Sequence, residues 1–182
     1  MKILLLGSSG VLWNTLKYFL IKKKISLIVL KKFKIKNIKN FKYVEDIIIK
    51  KKPNIIINCI VQKNNTIKKI SKKKFFLINS KFPKFLSKLC YHHKIYLVHI
   101  STDSVFSGNK GNFLETDVKN VKDFYSLSKK RGEVKNKYSC TLRTSFIGPE
   151  KYTKKSIFSW FLKQKKKVDG YSNYYFTGLS SL

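Results

Sequence analysis

Short unbroken apolar runs alternate along this chain with longer stretches in which apolar positions return every three or four residues. The runs have the length and β-branched content of strands buried on both faces, and the stretches have the period of helices packed by one side. "KILLL" (2–6) opens as a strand, and a helix follows from Val11 to Ile21 with Leu12, Leu16, Phe19 and Leu20 on its apolar face. "ISLIVL" (25–30) is the second strand, 31–40 reads as a loop, and "YVEDIIIKKK" predicts a short helix ended by Pro53. "NIIINCI" (54–60) is the third strand. Beyond the lysine- and asparagine-rich residues 61–74, Ile78, Phe82, Phe85, Leu86 and Leu89 share one face of a long helix. Pro83 should kink that helix or mark its start. "IYLVHIS" (95–101) is the fourth strand and 107–120 a glycine-containing loop. "YSLSKKRGEVKNK" (125–137) returns to helix, "CTLRTSFI" (140–147) is the fifth strand, and a helix around "SIFSWFLKQKKK" precedes an aromatic tail.

Strands and helices in strict alternation predict an α/β fold, a doubly wound parallel sheet of the Rossmann-like kind. Ligands of such sheets lie beyond the carboxyl ends of the strands, so the residues at those ends matter most.

Composition changes this picture little. The chain has 182 residues, 43% of them hydrophobic, which suits one domain with one core. Its net charge of +31 would ordinarily point to nucleic acid or an anionic surface. Only Arg131 and Arg143 are arginine among the 40 basic residues, however, and the planar fork that reads bases and grips phosphate is therefore nearly absent. There is no alanine, while Ile, Asn, Phe, Tyr and Lys abound, as an AT-rich coding sequence would give whatever the function. No specific nucleic-acid partner is expected. Cys59, Cys90 and Cys140 are far apart and His92 and His93 lack metal-site spacing, so neither a disulfide framework nor a metal is indicated. "MKILLLG" stops short of a signal peptide, and no apolar stretch nears the roughly 18 residues of a membrane span. A cytoplasmic protein without a membrane partner is expected.

Candidate chemistry sits at the predicted strand ends. After the first strand, "GSSGVLW" places Gly7 where a tight turn is needed and Gly10 where backbone must approach a pyrophosphate. The third position of that glycine pattern is Trp13, which should push the helix outward or force the indole to the edge of the crevice. Lys31 and Lys32, after the second strand, stand where positive charge favours a 2′-phosphate. The fourth strand delivers the hydroxyls of Ser101 and Thr102 to the rim where a helix carrying Tyr125 and Lys129 begins. With ten tyrosines and 38 lysines (40 basic residues less two arginines), about two Tyr-x-x-x-Lys pairs should arise by chance. Two occur. Tyr18 and Lys22 lie at the far end of the first helix, away from the rim, whereas Tyr125 and Lys129 share a helix face beside it.

This combination resembles the extended short-chain dehydrogenase/reductase superfamily. More narrowly, "LVHISTDSVFSG", "YSLSK", "LRTSFIGPE", "INCI" and "INSKFP", in that family's order along the chain, are similar to the dTDP-4-dehydrorhamnose reductase group. The resemblance implies NADPH or NADH as cofactor and a nucleotide-linked 4-keto sugar as substrate, in surface-polysaccharide synthesis. It implies that Thr102 and Tyr125 bind the keto oxygen, that Tyr125 gives the proton, and that Lys129 holds the nicotinamide ribose while favouring the tyrosinate. Gly10, Val11 and Leu12, with Asn58, Cys59 and Ile60, would line the dinucleotide beside Gly7, and Asp103 would adjoin the substrate. Lowering a phenol from a pKa near 10 by about three units takes roughly 4 kcal/mol of field, much of which a lysine ammonium in the cleft is expected to supply. Trp13, Ser104 in place of an aromatic residue, and Phe146 in place of tryptophan depart from the group's pattern. Family members also continue past "FTGLSSL" into a lobe that closes over the sugar nucleotide. Residues 1–182 are thus expected to form one NAD(P)-binding domain, with 150–182 the start of a truncated substrate-binding region. A homodimer is left open, as is a dinucleotide- or sugar-nucleotide-binding module without catalysis.

Overall fold

The computed structural model describes all residues except 8–9, 31–37, 39, 64–70, 109–110, 122, 150–155, 174–177 and 182. Five parallel strands form one sheet in the order β2-β1-β3-β4-β5, from β1 (Lys2–Leu6), β2 (Ser26–Val29), β3 (Ile55–Asn58), β4 (Tyr96–Ile100) and β5 (Ser139–Leu142). The chain leaves β1 for β2 on one side and returns to β3 on the other, which opens a crevice above the carboxyl ends of β1 and β3. The doubly wound expectation holds. Leu4, Leu5 and Leu6 are buried on both faces of β1, as a central parallel strand requires.

One face of the sheet packs Leu4, Leu6, Ile56 and Leu97 against α2 (Phe41–Lys51) and α4 (Phe82–His92), whose Val44, Ile48, Phe82, Leu86 and Leu89 complete the main core. Asn40 caps α2 by accepting the Tyr43 N–H at 3.0 Å, and Lys52 ends it in the left-handed region just before Pro53. α1 (Val11–Lys22) covers the other face, but it buries Trp13 and Leu20 and leaves Phe19 half exposed. At about 100° per residue, positions 13, 16 and 20 fall within a narrow arc and position 19 lies outside it, so the buried face is turned from the one the apolar pattern suggested. Among the described residues no helix is long and apolar enough to cross a membrane.

Pro83 stands in the first turn of α4, where a start was expected, but the helical path does not begin there. A helical segment begins with α3 (Lys72–Phe76), widens into a π turn (Leu77–Lys81) and runs on as α4. Proline brings no N–H to the carbonyl four residues back, that of Asn79, and the widened turn accommodates the loss, with Phe82 N–H bonding Leu77 O five residues back.

Two other predicted elements are shorter than their patterns. α5 (Phe124–Lys130) stops before Gly132, where a β-carbon would stand 1.8 Å from the Asn79 carbonyl oxygen. The run 140–147 divides: Ser101 N–H takes the Leu142 carbonyl at 2.7 Å as the last pairing with β4, and Arg143 is drawn off by Glu133. Phe146–Ile147 (β6) then pairs instead with Leu179–Ser180 (β7), and the predicted helix near 156–167 is confined to α6 (Ile157–Phe161).

Candidate active site

The turn after β1 is built by two glycines for different reasons. Gly7 has φ +131°, a conformation that side chains resist, and a β-carbon there would meet Trp13 Cδ1 at 2.8 Å and Cys59 Cβ at 3.5 Å. Gly10 has an ordinary φ of −71°, but a β-carbon on it would meet nothing within 4 Å, so open space lies before the amino end of α1. Among the described residues no side chain caps that end, and its first turn holds no acid, which leaves the N–H groups of Val11 and Leu12 for an anion. These features fit a dinucleotide pyrophosphate. Trp13 behaves otherwise than expected: the indole is 6% exposed and tucked against Gly7 rather than at the crevice edge, with Lys17 Nζ 5.3 Å from its ring centre. Lys31 and Lys32 lie outside the described residues.

At the end of β3, Cys59 N–H donates to Leu6 O at 2.9 Å and keeps the two strand ends together. Asn58 Oδ1 accepts the Ile60 N–H at 3.1 Å, so its Nδ2 must be the donor facing His99 Nδ1 at 3.1 Å. The imidazole proton is therefore on Nε2. Burial, and next the Lys129 charge, hold the His99 pKa well below its ordinary value, so a neutral ring stiffens the wall formed by Asn58, Cys59 and Ile60. Burial pushes the Cys59 thiol up to about 12, so it too is neutral.

α5 brings Tyr125 and Lys129 to the same rim, one helical turn apart. Asp123 fixes its start, accepting the Ser126 N–H at 3.0 Å and the Ser126 hydroxyl. Lys129 is 2% exposed and donates from Nζ to Ile100 O at 2.6 Å, just where β4 ends. Burial lowers its pKa to about 8. By contrast Tyr18, the alternative pair's phenol, is 69% exposed.

The Tyr125 phenol is pushed up to about 12 by burial, then by the charges of Asp123 and Asp103. This reverses the expected depression by lysine: the ammonium is turned to the Ile100 carbonyl, and burial, with two carboxylates adding to it, sets the phenol instead. Tyr125 is thus protonated at neutral pH. Thr102 Oγ1 accepts the Ser104 N–H at 3.3 Å, capping a 3-10 turn (Asp103–Val105), and lies 3.2 Å from Asp103 Oδ1. Asp103 is exposed at this rim and within electrostatic reach of Tyr125, so Thr102, Asp103 and Tyr125 belong to one neighbourhood. The Ser101 hydroxyl is directed elsewhere, to Glu133 Oε1 at 3.2 Å.

Two supports escaped the sequence reading. Asn79, buried in the π turn, donates to Gln62 O at 2.9 Å and Ser128 Oγ at 2.9 Å, while its Oδ1 accepts the Gln62 N–H at 2.8 Å. It ties the segment after β3 to the helix of Tyr125 and Lys129. Glu133 receives Arg143 Nε at 2.9 Å and Nη2 at 3.1 Å, the Lys119 ammonium and the Ser101 hydroxyl, which joins the loop before α5 to the ends of β4 and β5. "INSKFP" and "RGE" carried these residues, but only their long-range partners give them a role.

A doubly wound sheet with a glycine turn after β1 and a tyrosine–lysine helix at its carboxyl edge defines a Rossmann-type domain of the extended short-chain dehydrogenase/reductase class. Within that class, the chain belongs to the family described as the RmlD substrate binding domain, whose model matches residues 1–168. A curated relative, the dTDP-4-dehydrorhamnose reductase of Aggregatibacter actinomycetemcomitans, is 29% identical over 133 residues, 72% of this chain and 45% of the relative. A hypothetical dTDP-4-dehydrorhamnose reductase from Sulfolobus tokodaii superposes with a TM-score of 0.70 at 32% identity, over 81% of this chain and 57% of that one. The dTDP-4-dehydrorhamnose reductase of Bacillus anthracis, solved in complex with NADP, gives a TM-score of 0.69 at 24% identity over 80% of this chain and 54% of that one, a likeness of fold. The chain spans under half of the curated relative and little more than half of these structures.

Proposed function

We propose that this chain carries the dinucleotide-binding and proton-donating part of an NAD(P)H-dependent reductase acting on a nucleotide-linked 4-keto-6-deoxy sugar, as in dTDP-4-dehydrorhamnose reduction for surface polysaccharide. The observation that carries the reading is Lys129, an amine almost wholly buried at the end of β4 and one turn from a protonated tyrosine. A bound nicotinamide would supply hydride to the carbonyl carbon. Gly7, Gly10 and the amino end of α1 would hold its pyrophosphate, Asn58, Cys59 and Ile60 would form the wall beside it, and Lys129 would offer its ammonium to the ribose hydroxyls. Tyr125 then gives its proton to the keto oxygen as charge develops there, with Thr102 as second donor and Asp103 beside the sugar. A phenol near 12 is a weak acid against a ketone but a competent one against the alkoxide that forms.

Mixing the protein with NADPH and a dTDP-4-keto-6-deoxy sugar and following nicotinamide absorbance tests this. Turnover is expected, with at least about a hundredfold loss in Tyr125→Phe and unchanged NADPH binding. Turnover that ignores Tyr125 overturns the assignment. Trp13, buried against Gly7 where the pattern has its third glycine, favours a second reading, a binding module without catalysis; saturable NADPH binding with no reduction would support it.

A further inference from the structure

Away from the crevice, a groove of about 690 Å³ runs between the α3–π–α4 segment and the end of α5, lined by Lys72, Lys73, Lys81, Lys84 and Arg131 around Phe76. The stretch between Asp46 and Asp103 contains no carboxylate side chain, so the helical wall offers these cations no partner of its own. The nearby acids on the other wall are committed, Asp123 to capping α5 and Glu133 to Arg143 and Lys119. Among the described residues none of the five groove cations forms an ion pair. Arg131 is held in place by its guanidinium 5.0 Å from the Phe76 ring centre, and Lys72 by its ammonium 5.5 Å from that of Phe124.

Like charges gathered around one groove repel unless an anion fills it, and two copies of this face would double the repulsion rather than relieve it. We infer that the groove binds a compact multivalent phosphate anion. Several amines surround it and one planar fork offers paired donors to phosphate oxygens. The Phe76 face is already occupied by Arg131 and its flank by Phe124, at 5.0 Å and 78°, which leaves no platform for a base. The phosphate chain alone is therefore recognised, whether free or part of a nucleotide.

Calorimetric titration of the intact protein with tripolyphosphate, and in parallel with ATP, tests the inference. Binding with one groove site is expected, weakening with added salt, with ATP no tighter than tripolyphosphate. Lys73→Glu combined with Lys84→Glu should weaken it about tenfold or more, whereas Lys22→Glu with Lys23→Glu, the same change of net charge at the carboxyl end of α1, should not. Equal loss in the two double variants would mean that net charge alone attracts the anion, and the inference would fail. It would fail equally if tripolyphosphate did not bind, or if the ATP binding that is lost in Lys73→Glu with Lys84→Glu, and so belongs to the groove rather than the crevice, were much tighter than that of tripolyphosphate. Proper folding of each variant is read from its far-ultraviolet circular dichroism, and NADPH binding, which rests on the crevice and not on this groove, is measured beside it, so loss of one reading leaves the other standing.

Discussion

Holding Lys129 in place costs stability, and the cost can be measured. Its amine is 2% exposed, and burial brings its pKa from 10.5 to about 8. At neutral pH the folded protein carries a proton there that the interior disfavours, at about 3 kcal/mol for a displacement of that size. Replacing the lysine by methionine keeps an unbranched side chain of similar length and removes the charge. It also removes the bond to the Ile100 carbonyl, worth about 1 kcal/mol. Lys129→Met should therefore be more stable than the parent by about 2 kcal/mol at pH 7, which for a chain of this size raises Tm by about 4–8 °C. The sign depends on pH. Between the folded value near 8 and the unfolded value near 10.5 the unfolded chain binds more protons, so the parent gains stability as pH rises and the penalty fades. Thermal melts of both proteins from pH 6 to 10.5 should show the gap closing over that window and then reversing slightly as only the lost hydrogen bond remains. The other lysines titrate in both proteins and cancel in the difference. A methionine variant that is less stable at pH 7, with a gap indifferent to pH, would refute the reasoning. A stabilised variant that no longer reduces substrate would show a residue kept for chemistry against the interest of the fold.

Glu133→Gln should lose about 3 kcal/mol at neutral pH, because Arg143 and Lys119 are left without their carboxylate in a site where the Glu133 side chain is 9% exposed. Burial alone would raise the Glu133 pKa, but the Arg143 and Lys119 bonds outweigh it and hold it low. The difference from the parent in urea melts should therefore shrink as pH falls below the usual carboxylate range, and a constant difference would count against the clamp. Gly132→Ala drives a β-carbon to 1.8 Å from the Asn79 carbonyl, a backbone atom that cannot yield, and should lower Tm by about 6–12 °C by scanning calorimetry. Gly10→Ala has space for its β-carbon but is a poorer cap for α1, so it should lower Tm by no more than about 1–4 °C, yet bind NADPH about tenfold more weakly by fluorescence titration.

The two tyrosine–lysine pairs illustrate what could be read in advance. Their spacing is identical, but Tyr125 follows a strand end and Tyr18 lies deep in α1, so order along the chain separated the pair with a buried lysine from the exposed one. The glycine turn, the order of the strands and the face of α4 were legible for the same reason: each depends on local pattern and on chain direction. The turn of α1 towards Trp13 was less so, because large apolar residues stand on two adjoining arcs and only contact with Gly7 chooses between them. The early end of α5 was set by Asn79, far from Gly132 in sequence, and the division of 140–147 by Glu133, whose pull on Arg143 no hydrophobic period announces.

By itself the sequence determined the alternation of strands and helices, the two glycines of the turn and the residues that reach the rim, since hydrophobic period and backbone freedom are local properties. Only the tertiary structure decided their electrostatic state. Burial and two carboxylates, brought together by the fold, raise the Tyr125 phenol instead of lowering it, and a strand-end carbonyl rather than the phenol takes the Lys129 ammonium. A side chain's charge state follows from its neighbours in space and its distance from water, and neither is written in the spacing of residues along the chain.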